Sequence, residues 1–424
     1  MDFIKKNSKW LYLILFALIQ YPLKIQGIKW LTYVFIYAIP FLYLIINYKW
    51  LISFFFSIRD KIGKKMIYIS VYLLIVSLVW PILFQTFDFT YITYYWRSVF
   101  LLILKNIFLL AIFERIFKKE VDIKTYLNYF IYSTIIYVVF TLLTIIIPQL
   151  RAILMNIIYL DKNDLINLSI PSYKTRFGWS GWSGYGETVH CTLSFVFSWI
   201  ILLEEKEFNV QIKYLFFSFV CVIGNMLYGR TGLVASFVCM IALMIYLFII
   251  HNYKIIKLIS FIFGFFIVAL LLLKNFNSSI DYWYNWVFSI VENFITQGSL
   301  YDNTGSVETL VNRMYFIPNL KTLLIGDARY MVDGQYYMLT DVGFMRPILY
   351  FGVFNYIMML IIYLKSVIKI SVKYLDNKYI VCLLFVIITV LFEMKGETIS
   401  MIFPVILPML YLIEEKQKIK IIRS

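Results

Sequence analysis

Charge is scarce in this chain. Of 424 residues, 15% are charged and 62% hydrophobic, and the mean hydropathy is +0.81. A soluble chain of that composition would expose large apolar patches and aggregate, which excludes a soluble enzyme. Cysteine and histidine are rarer still, with four and two copies. Cys191, Cys221, Cys239 and Cys382 all fall within apolar runs, and no pair has metal-ligand spacing. A disulfide framework and a zinc site are therefore not expected. The chain also lacks GxSxG, a Walker loop, HExxH and a DxD pair, so nothing points to ATP, a metal or a soluble sugar nucleotide, and no cofactor is expected. Internal repeats and low-complexity linkers are missing too. One polytopic membrane domain over residues 1–424 is the expectation. No small-residue cleavage pattern follows Lys5, Lys6 and Lys9, so the first apolar run reads as a retained span rather than a signal peptide.

What the chain has is apolar runs near span length, recurring from Trp10 to Ile413. They predict an all-α, polytopic membrane protein of about twelve transmembrane helices. The spans are placed at 10–23, 30–47, 66–85, 98–113, 125–147, 188–203, 214–228, 233–250, 258–273, 341–364, 379–392 and 398–413. The net charge of +15 invites a nucleic-acid reading, but its distribution argues against one. Lys and Arg crowd into the loops that share one side, such as Lys61, Lys64 and Lys65, or Lys365, Lys369, Lys373 and Lys378. That bias places both termini in the cytoplasm and puts two long loops, 148–187 and 274–340, outside.

The first long loop closes on KTRFGWSGWSGYGETVH, residues 174–190. Glycines let the backbone turn and approach a ligand. Trp179, Trp182 and Tyr185 between them offer flat faces with a polar tip. Arg176 precedes the run, and Glu187 and His190 follow it. An interfacial aromatic belt explains the same residues without a ligand. In the second loop, 280–295 has the spacing of an amphipathic surface helix, with a thirteenth span as the alternative. A further helix is predicted over 306–317, stopping at Pro318, with Arg313 on its polar side. GDARYMVDG, 326–334, has turn chemistry at both ends and carries Arg329.

Arginine recurs on the outer face: Arg176, Arg230 in the GRTG turn, Arg313, Arg329, and Arg346 at the start of the tenth span. A planar guanidinium grips phosphate oxygens in a bidentate way. Snorkelling to lipid headgroups is the alternative for each. Lys105 lies at mid-depth, with Asp341, Glu393 and Glu397 as possible partners. Candidate bases are Glu187, His190, Asp341 and Glu397. Glu187 and His190 are one helical turn apart, so a capping and packing pair is equally open. Asp341 stands five residues before Arg346, where a salt bridge is the simple reading. His251 falls in a basic inner turn and reads as solvated.

Together these features resemble the bacterial O-antigen and capsule polymerases, the Wzy family. The topology carries the likeness along the whole chain. RFGWSGWSGYGE at 176–187, LYGRTGLV at 227–234, LTDVGFMRPILYFGV at 339–353 and FEMKGE at 392–397 add local echoes. The resemblance implies a GT-C-like glycosyltransferase in the bacterial cytoplasmic (inner) membrane, with its active site facing outward. It would polymerise repeat units linked to undecaprenyl pyrophosphate in lipopolysaccharide or capsule biosynthesis. Its partners would be those lipid-linked glycans, membrane lipids and a chain-length regulator protein, and not nucleic acid. The residues suit that chemistry. Arg176, Arg230, Arg313, Arg329 and Arg346 can face the pyrophosphate, and Trp179, Trp182 and Tyr185 can stack on sugars. Glu187, His190 or Asp341 can act as base. An O-antigen ligase shares the fold and donor, but resembling ligases carry a histidine in the second outer loop, and 274–340 has none. A lipid-linked oligosaccharide flippase would show two similar halves, which are not visible here.

Overall fold

The computed structural model describes residues 2–57, 61–118, 121–170, 173–274, 306–374 and 377–423, with 284–285, 288–289, 292–293 and 295–296. These residues are overwhelmingly helical, and a helix lies over each of the twelve apolar runs. Six helical segments are long and apolar enough to cross a membrane: Lys29–Ile46, Ile123–Ile146, Tyr185–Glu204, Phe208–Tyr228, Arg230–Ile249 and Val353–Val372. Ile67–Leu83 and Ile399–Ile413 are shorter apolar helices. The chain divides into two units. One holds Met1–Pro22, Trp30–Ser133 and Asn312–Ser424; the other holds Leu23–Lys29 and Thr134–Val311.

In the second unit, Tyr185–Glu204 is apolar nearly all round and buried on most of its surface, as a central helix must be. Phe208–Tyr228 packs closely along it. Lipid offers helices no hydrophobic reward for meeting, so small residues and tight contact decide the crossing. Gly224 is the point of approach: a Cβ there would stand 2.7 Å from both Cys191 Sγ and Val138 Cγ2. GRTG follows the same logic. A Cβ on Gly229 would lie 2.7 Å from Thr188 Oγ1, and one on Gly232 would strike Asn225 and Thr188.

In the first unit, an aromatic cluster joins Asp2–Gln20 and Arg97–Phe117 to Tyr126. Ring centroids lie 5.9 Å apart for Tyr12 and Phe113 and 5.5 Å for Phe113 and Tyr126. The Tyr12 hydroxyl donates to the Leu109 carbonyl at 3.0 Å. Lys105 is buried with its Nζ 5.2 Å from the centre of the Tyr37 ring.

Three local expectations are corrected. The run 341–364 is not one helix: Met345–Phe351 ends at Gly352, whose φ is +85°, and Val353–Tyr374 begins anew. Gly352 is backed against the Leu324 carbonyl, leaving no room for a side chain. The helix placed over 306–317 ends earlier. It runs Ser306–Thr309 and then Leu310–Met314 in π geometry, so Pro318 is not its stop. The first long loop is largely structured, with helices Pro148–Ile157 and Lys162–Ser169. Pro148 is preset for a first turn, and Asp161 and Asp164 cap each other's backbone. The amphipathic helix expected at 280–295 lies largely outside the described residues.

Candidate functional site

Each unit brings an arginine against a short hairpin at the end of an apolar helix. In the second unit, Phe177–Gly178 pairs with Gly181–Trp182. Gly181 has a φ of +93°, which lets the chain reverse. The hairpin is fastened to Ile123–Ile146 by hydroxyls: Tyr137 OH bonds to both Ser180 and Ser183, and Thr144 donates to the Phe177 carbonyl at 3.0 Å. Gly178 allows this, because a Cβ there would lie 2.6 Å from the Tyr137 oxygen.

That anchoring aims Arg176. Its guanidinium carbon lies 4.1 Å from the centre of the Tyr173 ring and 5.9 Å from that of Trp182. Burial pulls Arg176 down to about 10; Arg230 adds to the fall, while Tyr173 and Glu187 oppose it. It therefore stays cationic at neutral pH. Arg230 opens the helix Arg230–Ile249, and its Nη1 donates to Ser289 Oγ at 3.3 Å. Two cations thus face one region, which favours an anion. Trp179 packs edge-on against Tyr137 and Phe140, and Trp182 covers Gly184. Both remain half-buried, and Trp182 lies beside the arginine. Tyr185 and Glu187 form the first turn of Tyr185–Glu204, and His190 lies on its next turn. Glu187 Oε2 accepts from the Gly184 amide at 2.9 Å, a capping role.

In the first unit, Met331–Val332 pairs with Gln335–Tyr336. Asp333 and Gly334 between them both have positive φ, the conformation that favours Asp-Gly in a two-residue hairpin. The anchor here is Asp88. Its Oδ2 accepts from the amides of Tyr330 and Met331 at 2.6 and 3.1 Å, and its Oδ1 from that of Thr90 at 2.9 Å. Arg346 lies flat on the hairpin, with its guanidinium carbon 3.4 Å from the centre of the Tyr336 ring. Arg346 Nη2 reaches Asp341 Oδ1 at 3.1 Å and Nε donates to the Thr340 carbonyl at 3.2 Å. Lys395 Nζ holds the other Asp341 oxygen at 3.8 Å. The Tyr330 hydroxyl donates to Glu397 Oε2 at 3.2 Å. Gly343 presses against the Gly396 carbonyl where a Cβ would collide, which draws the DVGFMR and MKGE segments together.

The sequence-predicted residues therefore separate into groups. Arg176, Arg230, Trp179, Trp182, Tyr185, Glu187 and His190 share the second unit, and Asp341 and Arg346 share the first with Arg329 and Arg313. Arg313 and Arg329 are exposed, where headgroup contact suits them equally. Asp88 and Tyr137 escaped the sequence reading. Asp88-Phe-Thr90 is a local turn signature that gave a signal. Tyr137 sits in an unbroken apolar helix and gave none. Comparison with protein-family models, curated proteins and solved structures gives no match.

Proposed function

We propose that this chain is a membrane glycosyltransferase that polymerises undecaprenyl-pyrophosphate-linked oligosaccharide repeat units into O-antigen or capsular polysaccharide. In this reading it is GT-C-like, spans the bacterial cytoplasmic membrane about twelve times, and works on the outer face. The observation that supports it best is the pair of arginine-and-aromatic hairpins, Arg176 with Tyr173 and Trp182, and Arg346 with Tyr336. Such a surface offers a flat face to a sugar and a fixed cation to a pyrophosphate.

The chemistry follows from the leaving group. The donor glycan's anomeric carbon is already activated by pyrophosphate, so the protein must hold charge and orient the acceptor. Preorganised guanidinium groups do the first without reorganising at the moment of reaction. Arg230 in the second unit and Arg346 in the first are separate candidates for the pyrophosphate, since each stands where a helix of an apolar run begins. The half-buried Trp179 and Trp182 are assigned to the glycan.

The test uses purified protein in lipid with lipid-linked repeat units alone. A polymerase makes a ladder of chain lengths and releases undecaprenyl pyrophosphate, without added nucleotide and in the presence of EDTA. In cells, deleting the gene leaves single repeat units and no long chains. A ligase deletion leaves long chains on the lipid carrier, and a flippase deletion traps single units on the cytoplasmic side. No ladder from the cognate unit with well-folded protein overturns the reading.

A further inference from the structure

Glu397 differs from every other carboxylate near the candidate sites. It stands in the turn between Lys378–Glu393 and the helix that begins at Ile399. Its Oε2 accepts from Tyr330, but its Oε1 is buried and makes no hydrogen bond among the described residues. The other carboxylates have structural work. Glu393 Oε1 accepts from the amides of Thr398 and Ile399 at 2.6 and 2.9 Å, and its Oε2 accepts from Tyr356 at 3.4 Å. Asp341 is held between Arg346 and Lys395. Asp88 anchors the hairpin and Glu187 caps a helix. A buried acceptor without a partner costs stability, and such groups call for a role.

The groups that act on Glu397 are Arg346, Glu393 and the tyrosines Tyr91, Tyr95, Tyr330 and Tyr356. Burial, with Glu393 adding to it, lifts the Glu397 carboxyl to about 8 against the pull of Arg346 and the Tyr330 hydrogen bond. A group near that value exchanges a proton readily at working pH.

We propose that Glu397, through Oε1, accepts the proton of the acceptor hydroxyl during chain extension, in place of Glu187, His190 or Asp341. This assignment rests on the polymerase reading. The acceptor oxygen forms its bond to the donor's anomeric carbon. The bond from that carbon to the pyrophosphate oxygen breaks, and its electron pair leaves with undecaprenyl pyrophosphate. The hydroxyl proton passes to Glu397 and from there to water. Tyr330 positions the carboxylate by holding Oε2, so that Oε1 is the oxygen presented.

The experiment measures chain extension by the full-length protein in lipid, at saturating lipid-linked repeat unit, from about pH 6 to about pH 10. A base works deprotonated, so kcat of the wild type rises with pH through about 8 and then levels. Glu397→Gln loses about 100-fold or more in kcat with little change in KM, and its limb near that pH disappears. Glu397→Asp keeps part of the rate and keeps the limb. Tyr330→Phe removes a hydrogen bond that favours the charged form, so the limb moves to higher pH; it also serves if Glu397→Gln does not insert. An unmoved limb in Tyr330→Phe, or a ladder from Glu397→Gln at the wild-type rate, overturns the assignment and leaves the polymerase reading standing. A wild-type protein that makes no ladder overturns both.

Discussion

The two hairpins are built alike and charged differently. Each has strands of two residues, a turn made possible by glycine, and an arginine lying on a ring. The hairpin of the second unit is held by neutral hydroxyls from Tyr137, Ser180 and Ser183. The hairpin of the first unit is held by a carboxylate, Asp88, and touches another, Glu397. Arg176 feels a second arginine, Arg230, and one carboxylate, Glu187, while Arg346 feels Asp341 and Glu397. The same local device therefore sits beside a second cation in one unit and among carboxylates in the other. A second cation suits holding an anion. A carboxylate with an unsatisfied oxygen suits moving a proton.

The strongest way to break this comparison is to remove each arginine. Arg346→Ala should lower kcat/KM by about 100- to 1,000-fold, the usual cost of losing a preorganised charge. Arg346→Lys should restore only part of it, because an ammonium cannot replace a bidentate fork. Arg176→Ala should cost about tenfold, mostly in KM, because Arg230 still faces the same region. Rates are measured on protein that inserts normally. Equal losses at the two positions would erase the distinction between the two arginines.

A smaller effect is expected from the hairpin anchors, and here stability is the readout. Asp88→Ala leaves the amides of Tyr330, Met331 and Thr90 without their acceptor. The cost should be about 1–3 kcal/mol, read as a lower thermal midpoint in detergent. Arg346 leans on that hairpin, so activity should fall with it. Full activity in Asp88→Ala would mean that Asp341 and the Thr340 carbonyl suffice to set Arg346.

How much of this could be read from the chain depends on the range of the forces involved. Local signals were legible. The Asp-Gly turn at 333–334, the glycines within the 174–190 stretch and the arginines at run ends all announced themselves. The helices Pro148–Ile157 and Lys162–Ser169 had visible starts in Pro148 and Asp161, but their polarity outweighed those signals and the segment read as loop. The break at Gly352 was hidden in a continuous apolar run, since its cause is the Leu324 carbonyl, far away in the chain. The pairing of Asp88 with Tyr330 spans 242 residues and leaves no local trace. Glu397 was visible as a carboxylate beside a span, but only the fold distinguishes its unpartnered oxygen from the occupied ones of Glu393 and Asp341.

The smallest effect tests the neutral anchor. Tyr137→Phe deletes one oxygen that serves two buried serines, Ser180 and Ser183. Each serine then keeps a desolvated hydroxyl with that partner gone, so the loss should be about 1–2 kcal/mol. It should be local: amide exchange at 177–183 speeds up, while the global midpoint moves little. Replacing the partners as well should reverse much of it. A triple variant, Tyr137→Phe with Ser180→Ala and Ser183→Ala, removes every polar group from the contact, and apolar groups of similar shape are nearly neutral. An equivalent rescue by alanine should fail in the other unit, because Asp88 serves backbone amides, which an alanine retains. If the triple variant exchanges as fast as Tyr137→Phe alone, the hydroxyls do more than fasten the hairpin, and the contrast between a neutral and a charged anchor loses its physical basis.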